Sequence, residues 1–254
     1  MARVRAAILA AGRGVRMGGG TPKALLPLDG GPPLLHYILE GLRTATVTDV
    51  LVVTGHRDEE IQAYMAEHAD GLEATYVFNA RYASWGNFHS VRIALEQSPG
   101  NDVLVVNSDV VVQPDVYRRV VQTGGDLVLA VEKRRALDEE DMRVRLDGEH
   151  VLAIGKDLKR AFSHGEYAGV SLVRPEAADV YLDLASNLEW GAGMDLYYED
   201  LYGEMIDRVQ IQAAAVAEGE YAEVDTPADV AGALAVIERW HKVLAPQGSA
   251  EALA

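Results

Sequence analysis

The chain has 254 residues, 49% of them hydrophobic and 24% charged, and no cysteine, which excludes disulfides, a thiolate metal site and a cysteine nucleophile. Its 39 acidic against 23 basic residues leave a formal net charge of −16, a field that repels a nucleic-acid backbone. No apolar run approaches the roughly 20 residues of a membrane span. The opening "MARVRAAILAAGRG" sets basic residues ahead of an apolar stretch. That stretch runs directly into glycine and arginine, so it reads as a buried first strand and not a leader, and the cytoplasm is the expected compartment.

In chain order, "VRAAILAA" predicts the first strand and "LLHYILEGLRTA" an amphipathic helix. "DVLVVTG" predicts a second strand, and "RDEEIQAYMAEH" a helix whose acidic first turn suits the helix dipole. "EATYVFN" follows as a third strand and "NFHSVRIALEQS" as a helix with apolar residues at 3.6 spacing. "NDVLVVNSDVVV" reads as one fourth, fully apolar strand ending in polar residues, and "PDVYRRVVQTG" as a helix with proline at its start. Beyond residue 125 the pattern changes. "DLVLAVEK", "MRVRLDGEHVLAIGKD" and "YAGVSLVRP" predict strands, with a hairpin at Asp147-Gly148. "TPADVAGALAVIERWHKVL" is helical again, followed by a frayed tail.

Strand–helix alternation with buried, valine-rich strands predicts an α/β fold. It is expected to be Rossmann-like, with a mixed, mostly parallel central sheet flanked by helices and a small antiparallel extension. Ligands in such sheets sit beyond the carboxyl ends of the strands. The loop after the first strand and the polar end of "VVNSD" both belong there. Residues 3–23 hold Arg3, Arg5, Arg13, Arg16 and Lys23 and no acid, which in so acidic a chain points to an anion site. Gly12-Arg13-Gly14 permits left-handed dihedrals and close backbone approach, and successive N–H groups there can form an anion nest. A plain turn between strand and helix is the alternative. The Walker arrangement and the dinucleotide fingerprint are both absent, since no Gly-Lys-Ser/Thr follows and Met17 stands at the third glycine position.

The longer string "LAAGRGVRMG…TPKALLPL" resembles the N-terminal motif of the nucleotidyltransferases that make nucleotide-diphospho sugars and alcohols. Gly-x-Gly-x-Arg-Met followed by Pro-Lys stands here as Gly12, Gly14, Arg16, Met17, Pro22 and Lys23. The resemblance implies a nucleoside triphosphate held by Leu9, Ala10, Ala11, Gly12, Arg13 and Gly14, with Asn107 nearby, and phosphates neutralised by Arg16 and Lys23 as the catalytic cations. It also implies Mg²⁺ on Asp109, at the end of the fourth strand, and on Asp225. For Asp109 an ordinary loop cap is the alternative, and for Asp225 an N-cap of the following helix. Asn79, Gly86, Asn87 and Ser90 are placed to read the nucleobase, with Asn87 equally an N-cap.

Phe78-Asn79…Asn87-Phe88-His89-Ser90, "VLAIGKDLK", "EYAGVSLV" and "LYYEDLYGEMI" are more similar to the cytidylyltransferases acting on phosphocholine and related phosphoalcohols or phosphonates. CTP and a small phosphorylated acceptor are the implied partners, and a homodimer is an assembly left open. Acceptor contacts are expected from Lys156, Trp190, Tyr198, Glu199, Asp200 and Glu223. Aromatic faces ringed by acids suit a quaternary ammonium, although the same spacing fits a helix burying tyrosines. The expected organisation is one domain over 1–244, made of a nucleotide half at 1–125, an acceptor half at 126–225 and a closing helix at 226–244, with a flexible tail at 245–254. Open alternatives are a hexose-, heptose- or inositol-phosphate nucleotidyltransferase using CTP, UTP, GTP or dTTP, and a nucleotide-binding subunit without turnover. A molybdopterin transferase shares the N-terminal motif but fits the acidic-aromatic stretch near 186–206 poorly.

Overall fold

The structure, a computed structural model, describes residues 3–14, 20–134, 136–188 and 194–244. Four strands, β1 (Val4–Ala10), β2 (Asp49–Thr54), β3 (Glu73–Phe78) and β4 (Asp102–Asn107), lie parallel in the order β3-β2-β1-β4. In register, Ala10 stands opposite Thr54 on β2, and Leu9 opposite Asn107 on β4. The loop after β1 therefore leaves the sheet beside the end of β4.

One expected strand is two. The apolar run at 101–112 breaks at Ser108-Asp109, and β5 (Val110–Val112) leaves the main sheet to pair antiparallel with β11 (Tyr221–Glu223). The apolar pattern alone cannot show this break, because both pieces are buried. The polar Asn-Ser-Asp between them is where the chain changes sheets.

Beyond β4 the sheet continues through β9 (Gly165–Val173), β6 (Leu127–Glu132), β10 (Ile211–Val216), β8 (His150–Gly155) and β7 (Arg143–Asp147). β9 runs against both β4 and β6, β6 and β10 are parallel, and β7–β8 is the antiparallel hairpin at Asp147-Gly148. Gly169, at φ +71, sits in β9 where its pairing with β6 shifts register. A Cβ there would come within 2.8 Å of Val110 Cγ1, so glycine is what lets β5 pass so close to the sheet.

Alternation along β1 sends Ala7 and Leu9 to one core and Ala6 and Ile8 to the other. On the first face lie α3 (Phe88–Glu96), α5 (Pro175–Ser186) and α6 (Tyr198–Glu204), through Phe88, Val91, Tyr181, Leu201 and Tyr202. On the second lie α1 (Leu34–Thr44), α2 (Asp58–His68) and α4 (Pro114–Gln122), through Leu35, Ile38, Ile61, Val116 and Val120. The closing helix α7 (Val230–Leu244) packs Val236, Ile237 and Trp240 on Leu34, Val111 and Val224. None of the described helices is long and apolar enough to cross a membrane.

Candidate active site

The β5–β11 ribbon brings distant carboxylates together. Val110 pairs with Glu223, and the Val224 N–H donates to the Asp109 carbonyl at 2.8 Å, which sets residues 223–225 alongside Asp109. Oxygens of Asp109, Glu223 and Asp225 then lie within 4.8 Å of one another. Asp225 is not the helix cap. Asp229 accepts from the N–H groups of Asp225 and Thr226 and from the Thr226 hydroxyl, leaving the Asp225 carboxylate to face Asp109.

Lys23 enters this group from a 3-10 turn, Lys23–Leu25, anchored by buried Ala24 and by the Leu25 N–H donating to Pro22 O at 2.8 Å. Its Nζ donates to Asp109 Oδ2 at 2.8 Å and also to Asp225 Oδ1. Burial works against its charged form, yet Asp109 and Asp225 hold its pKa above the ordinary lysine value. Asp109 Oδ1 is buried and has no hydrogen-bond partner among the described residues. Surrounding protein and repulsion from Asp109 and Asp225 raise the pKa of Glu223. Such a set of hard oxygens, short of positive charge, fits a divalent cation of the Mg²⁺ type. Gly14, at φ +57, packs against the Lys23 stem, so the glycine loop and the carboxylates share one corner.

Next to the carboxylates opens a cavity of about 220 Å³. Its walls include Asn87, Asn107, Lys156, Glu166, Tyr197 and Glu199. Lys156 lies over the Tyr197 ring, 5.2 Å from its centroid, and 3.5 Å from Glu140. Glu166 pairs with Arg134 at 2.8 Å, and burial still pushes its carboxyl up to about 7. Glu199 is 4% exposed, and its Oε2 has no hydrogen-bond partner among the described residues. Burial pushes its pKa up to about 8.

Glu199 thus makes a stability contribution that is complete below the ordinary carboxyl range near pH 4.5 and is lost as pH rises toward 8. Glu199→Gln is expected to remove that loss. In urea titrations its stability relative to the parent should rise by about 4 kcal/mol between pH 5 and pH 8.5. Equal pH slopes in the two proteins would contradict this.

The other sequence-predicted residues divide by location. Leu9, Ala10 and Ala11 are buried at the end of β1, and Gly12 and Arg13 are exposed beyond it. Arg16, Met17 and Trp190 lie outside the described residues. Asn79 and Ser90 are buried and bonded to each other at 3.0 Å, and Asn79 Oδ1 also accepts the Arg81 N–H. Gly86 packs directly under residues 194–196, where a Cβ would collide with Leu196 O. Asn87 makes no side-chain cap; its Oδ1 accepts the Tyr198 N–H at 2.9 Å. Tyr198 is fully buried, its hydroxyl donating to Asn107 Oδ1 at 2.9 Å and meeting the Tyr167 hydroxyl at 3.1 Å. Asp200 accepts the Tyr197 N–H at 2.7 Å and lines a neighbouring groove, not this cavity. Sequence reasoning missed Glu140, Asp141, Glu166 and Tyr221 in the walls. A charged residue inside "GEYAGVSLV", buried throughout its length, was the available signal for Glu166.

Residues 6–182 match the MobA-like NTP transferase domain model. The chain belongs to this family. Among curated relatives of this domain, the "Bifunctional IPC transferase and DIPP synthase" of Rubrobacter xylanophilus is 33% identical over 232 residues, covering 89% of this chain and 50% of that protein. The "CMP-5'-(3-aminopropyl)phosphonate synthase" of Streptomyces rubellomurinus is 34% identical over 149 residues, 57% of this chain and 23% of that protein. The chain therefore spans half or less of the length of these two relatives. Among solved structures, the inositol-1-phosphate CTP transferase from T. maritima superposes with a TM-score of 0.76 at 21% identity, covering 92% of this chain and 96% of that one. That likeness establishes the Rossmann-like mixed α/β fold.

Proposed function

We propose that the chain is an Mg²⁺-dependent nucleotidyltransferase that moves a nucleotidyl group, CMP from CTP, onto a small phosphorylated alcohol or phosphonate and releases pyrophosphate. The observation that carries this reading is the meeting of Asp109, Glu223 and Asp225 with Lys23, beside the glycine loop and at the carboxyl end of β4. A plain turn would not need a half-buried lysine and three carboxylates directed at one point.

Asp109 and Asp225 would hold the metal, with Glu223 alongside. Bound there, Mg²⁺ supplies Lewis-acid neutralisation of the charge that accumulates on phosphate oxygens. An oxygen of the acceptor's phosphate or phosphonate attacks the α-phosphorus and forms the new P–O bond. The bond from α-phosphorus to the oxygen bridging to the β-phosphate breaks, and its electron pair leaves with pyrophosphate. The attacking oxygen is already ionised near neutral pH, so no histidine base is required. Lys23 neutralises phosphate charge from the carboxylate side, and the N–H groups of Gly12 to Gly14 cradle phosphates. Positioning by these groups accounts for most of the acceleration. The cytidylyl choice draws support from the CMP and CTP in the names of the Streptomyces relative and the T. maritima structure.

A phosphorylated polyol such as inositol-1-phosphate is the second reading, favoured by cavity carboxylates able to accept hydroxyl hydrogen bonds. The test is pyrophosphate release with Mg²⁺, crossing CTP, UTP, GTP and ATP against phosphocholine, 2-aminoethylphosphonate, glucose-1-phosphate and inositol-1-phosphate. Turnover confined to CTP with a phosphoalcohol or phosphonate is the expected result. Preference for inositol-1-phosphate would install the second reading, and absence of turnover in the presence of bound Mg·CTP would leave a binding subunit.

A further inference from the structure

The nine-stranded sheet has two ends, and they are finished differently. At one end β7 is covered: the His164 N–H donates to Val144 O at 2.8 Å, and His164 Nδ1 accepts the Leu146 N–H at 3.0 Å. Arg145 and Asp147, the exposed side chains of that strand, are charged, and charges on an edge discourage a foreign strand from pairing there. β3 closes the other end with neither protection. The N–H groups of Glu73 and Asn79 donate inward to Thr48 O and Thr54 O, beside β2. By alternation the N–H and C=O groups of Ala74, Tyr76 and Phe78 point outward, and no strand or loop among the described residues meets them. From Ala74 to Phe78 there is no charge, proline or bulge. Tyr76 is 39% and Phe78 52% exposed, both on the face where Ala74 packs on the core under α2. An uncharged, aromatic and β-branched edge of this kind is a template for pairing unless something covers it.

We propose that the outer edge of β3 is an interface with a second copy of the chain, the two β3 strands pairing antiparallel about a two-fold axis at Tyr76. The strand is complementary to itself in that register. Ala74, Tyr76 and Phe78 face the partner's Phe78, Tyr76 and Ala74, and each such pair exchanges two backbone hydrogen bonds. On the α2 face a small Ala74 stands opposite a large Phe78, and the two Tyr76 rings meet at the axis. On the other face Thr75 stands opposite Val77 and Glu73 opposite Asn79. No like charges are opposed, which decides whether two chains that each carry a net charge of −16 can approach. Glu73 is already paired with Arg3 of its own chain. The acidic first turn of α2, Asp58 to Glu60, lies at the carboxyl end of β2, so antiparallel pairing sends the two copies of this turn to opposite ends of the interface. Sliding the register by one step in either direction brings Leu72 or Ala80, outside β3, into the ladder. The register about Tyr76 therefore keeps every outward group of the strand paired within it.

Sedimentation velocity on the full chain reads the assembly, and the absence of cysteine makes the register readable with single-cysteine variants. The parent should sediment as a dimer. Tyr76→Lys sets two ammonium groups against each other at the axis and should weaken the dimer about 100-fold, with the far-ultraviolet circular dichroism of the parent retained. Tyr76→Cys should form an intermolecular disulfide on mild oxidation, because paired residues at the axis have Cα atoms about 5.5 Å apart. Phe78→Cys should not, since its two copies would stand roughly 14 Å apart. A parent that stays monomeric up to about 100 μM would overturn the assignment. So would a dimer that Tyr76→Lys leaves intact, or one in which Phe78→Cys cross-links and Tyr76→Cys does not.

Discussion

Asp109→Asn is expected to lower nucleotidyl turnover by about 10³-fold while the chain remains folded. The exchange preserves the shape of the side chain and leaves its carbonyl pinned by the Val224 N–H. What it removes is one full charge from the point where Asp109, Glu223 and Asp225 converge. Two consequences follow. Without metal, the remaining carboxylates repel less, which offsets the loss of the Lys23–Asp109 ion pair, so the urea midpoint should stay close to the parent's. With Mg·CTP, a ligand that strengthens as charge builds on the phosphates is gone, so the loss should fall on kcat more than on KM. Glu223→Gln, at the more exposed corner, should cost less than Asp109→Asn. Pyrophosphate release with saturating Mg·CTP, paired with Mn²⁺ binding followed by electron paramagnetic resonance, separates the effects. Turnover within tenfold of the parent would remove Asp109 from the metal site and with it the mechanism argued here.

Which parts of this site were legible in the sequence follows from how local each signal is. The valine-rich strands and the helix faces between them are short-range patterns, and β1 to β4 with α1 to α4 stand close to where the periodicity places them. Asp109 and Asp225 were picked out by the resemblance of the stretches that hold them, since the residues alone equally allowed a loop cap and a helix cap. The route by which they meet was not, since it depends on β5 leaving the sheet for β11, and the apolar residues on either side of Ser108-Asp109 carry no mark of a change of sheet. α5 and β10 have compositions that announce no element: "PEAADVYLDLAS" scatters its apolar residues, and "IQAAAV" is nearly all small side chains. Tyr198 illustrates the limit for the cavity beside the carboxylates. Its spacing equally allowed a cavity wall or a core position, and only the packing of α6 on α3 sends its ring inward to Asn107 and Tyr167. Its neighbours Tyr197 and Glu199 line the cavity instead. On so short a helix, one residue of phase decides which side chain meets the ligand.

Lys23→Met should show that one lysine does two jobs at this corner. Met keeps the unbranched stem that packs on Gly14 and deletes the ammonium that bridges Asp109 and Asp225. The first expected effect is on stability in the absence of metal. The carboxylates are partly exposed, with side chains 22% and 35% accessible, so the loss of their shared cation should cost about 1–2 kcal/mol, less than breaking a fully buried pair. Because the deficit is one of positive charge, millimolar Mg²⁺ should recover most of it in the variant and add less to the parent. The second effect is on chemistry. With metal bound, the ammonium is no longer needed to offset the repulsion between the carboxylates and can serve the phosphates, so turnover should fall about 10²- to 10³-fold even where stability is restored. The two effects respond to different additions, which makes them separable: urea melts with and without Mg²⁺ report the first, and pyrophosphate release at saturating Mg·CTP reports the second. A stability loss that Mg²⁺ does not repair would mean that Lys23 is only a structural bridge. Parental turnover in a Mg²⁺-repaired variant would mean that the phosphates are neutralised elsewhere. Combined with Asp109→Asn the effects should not add, because each change removes one partner of the same ion pair.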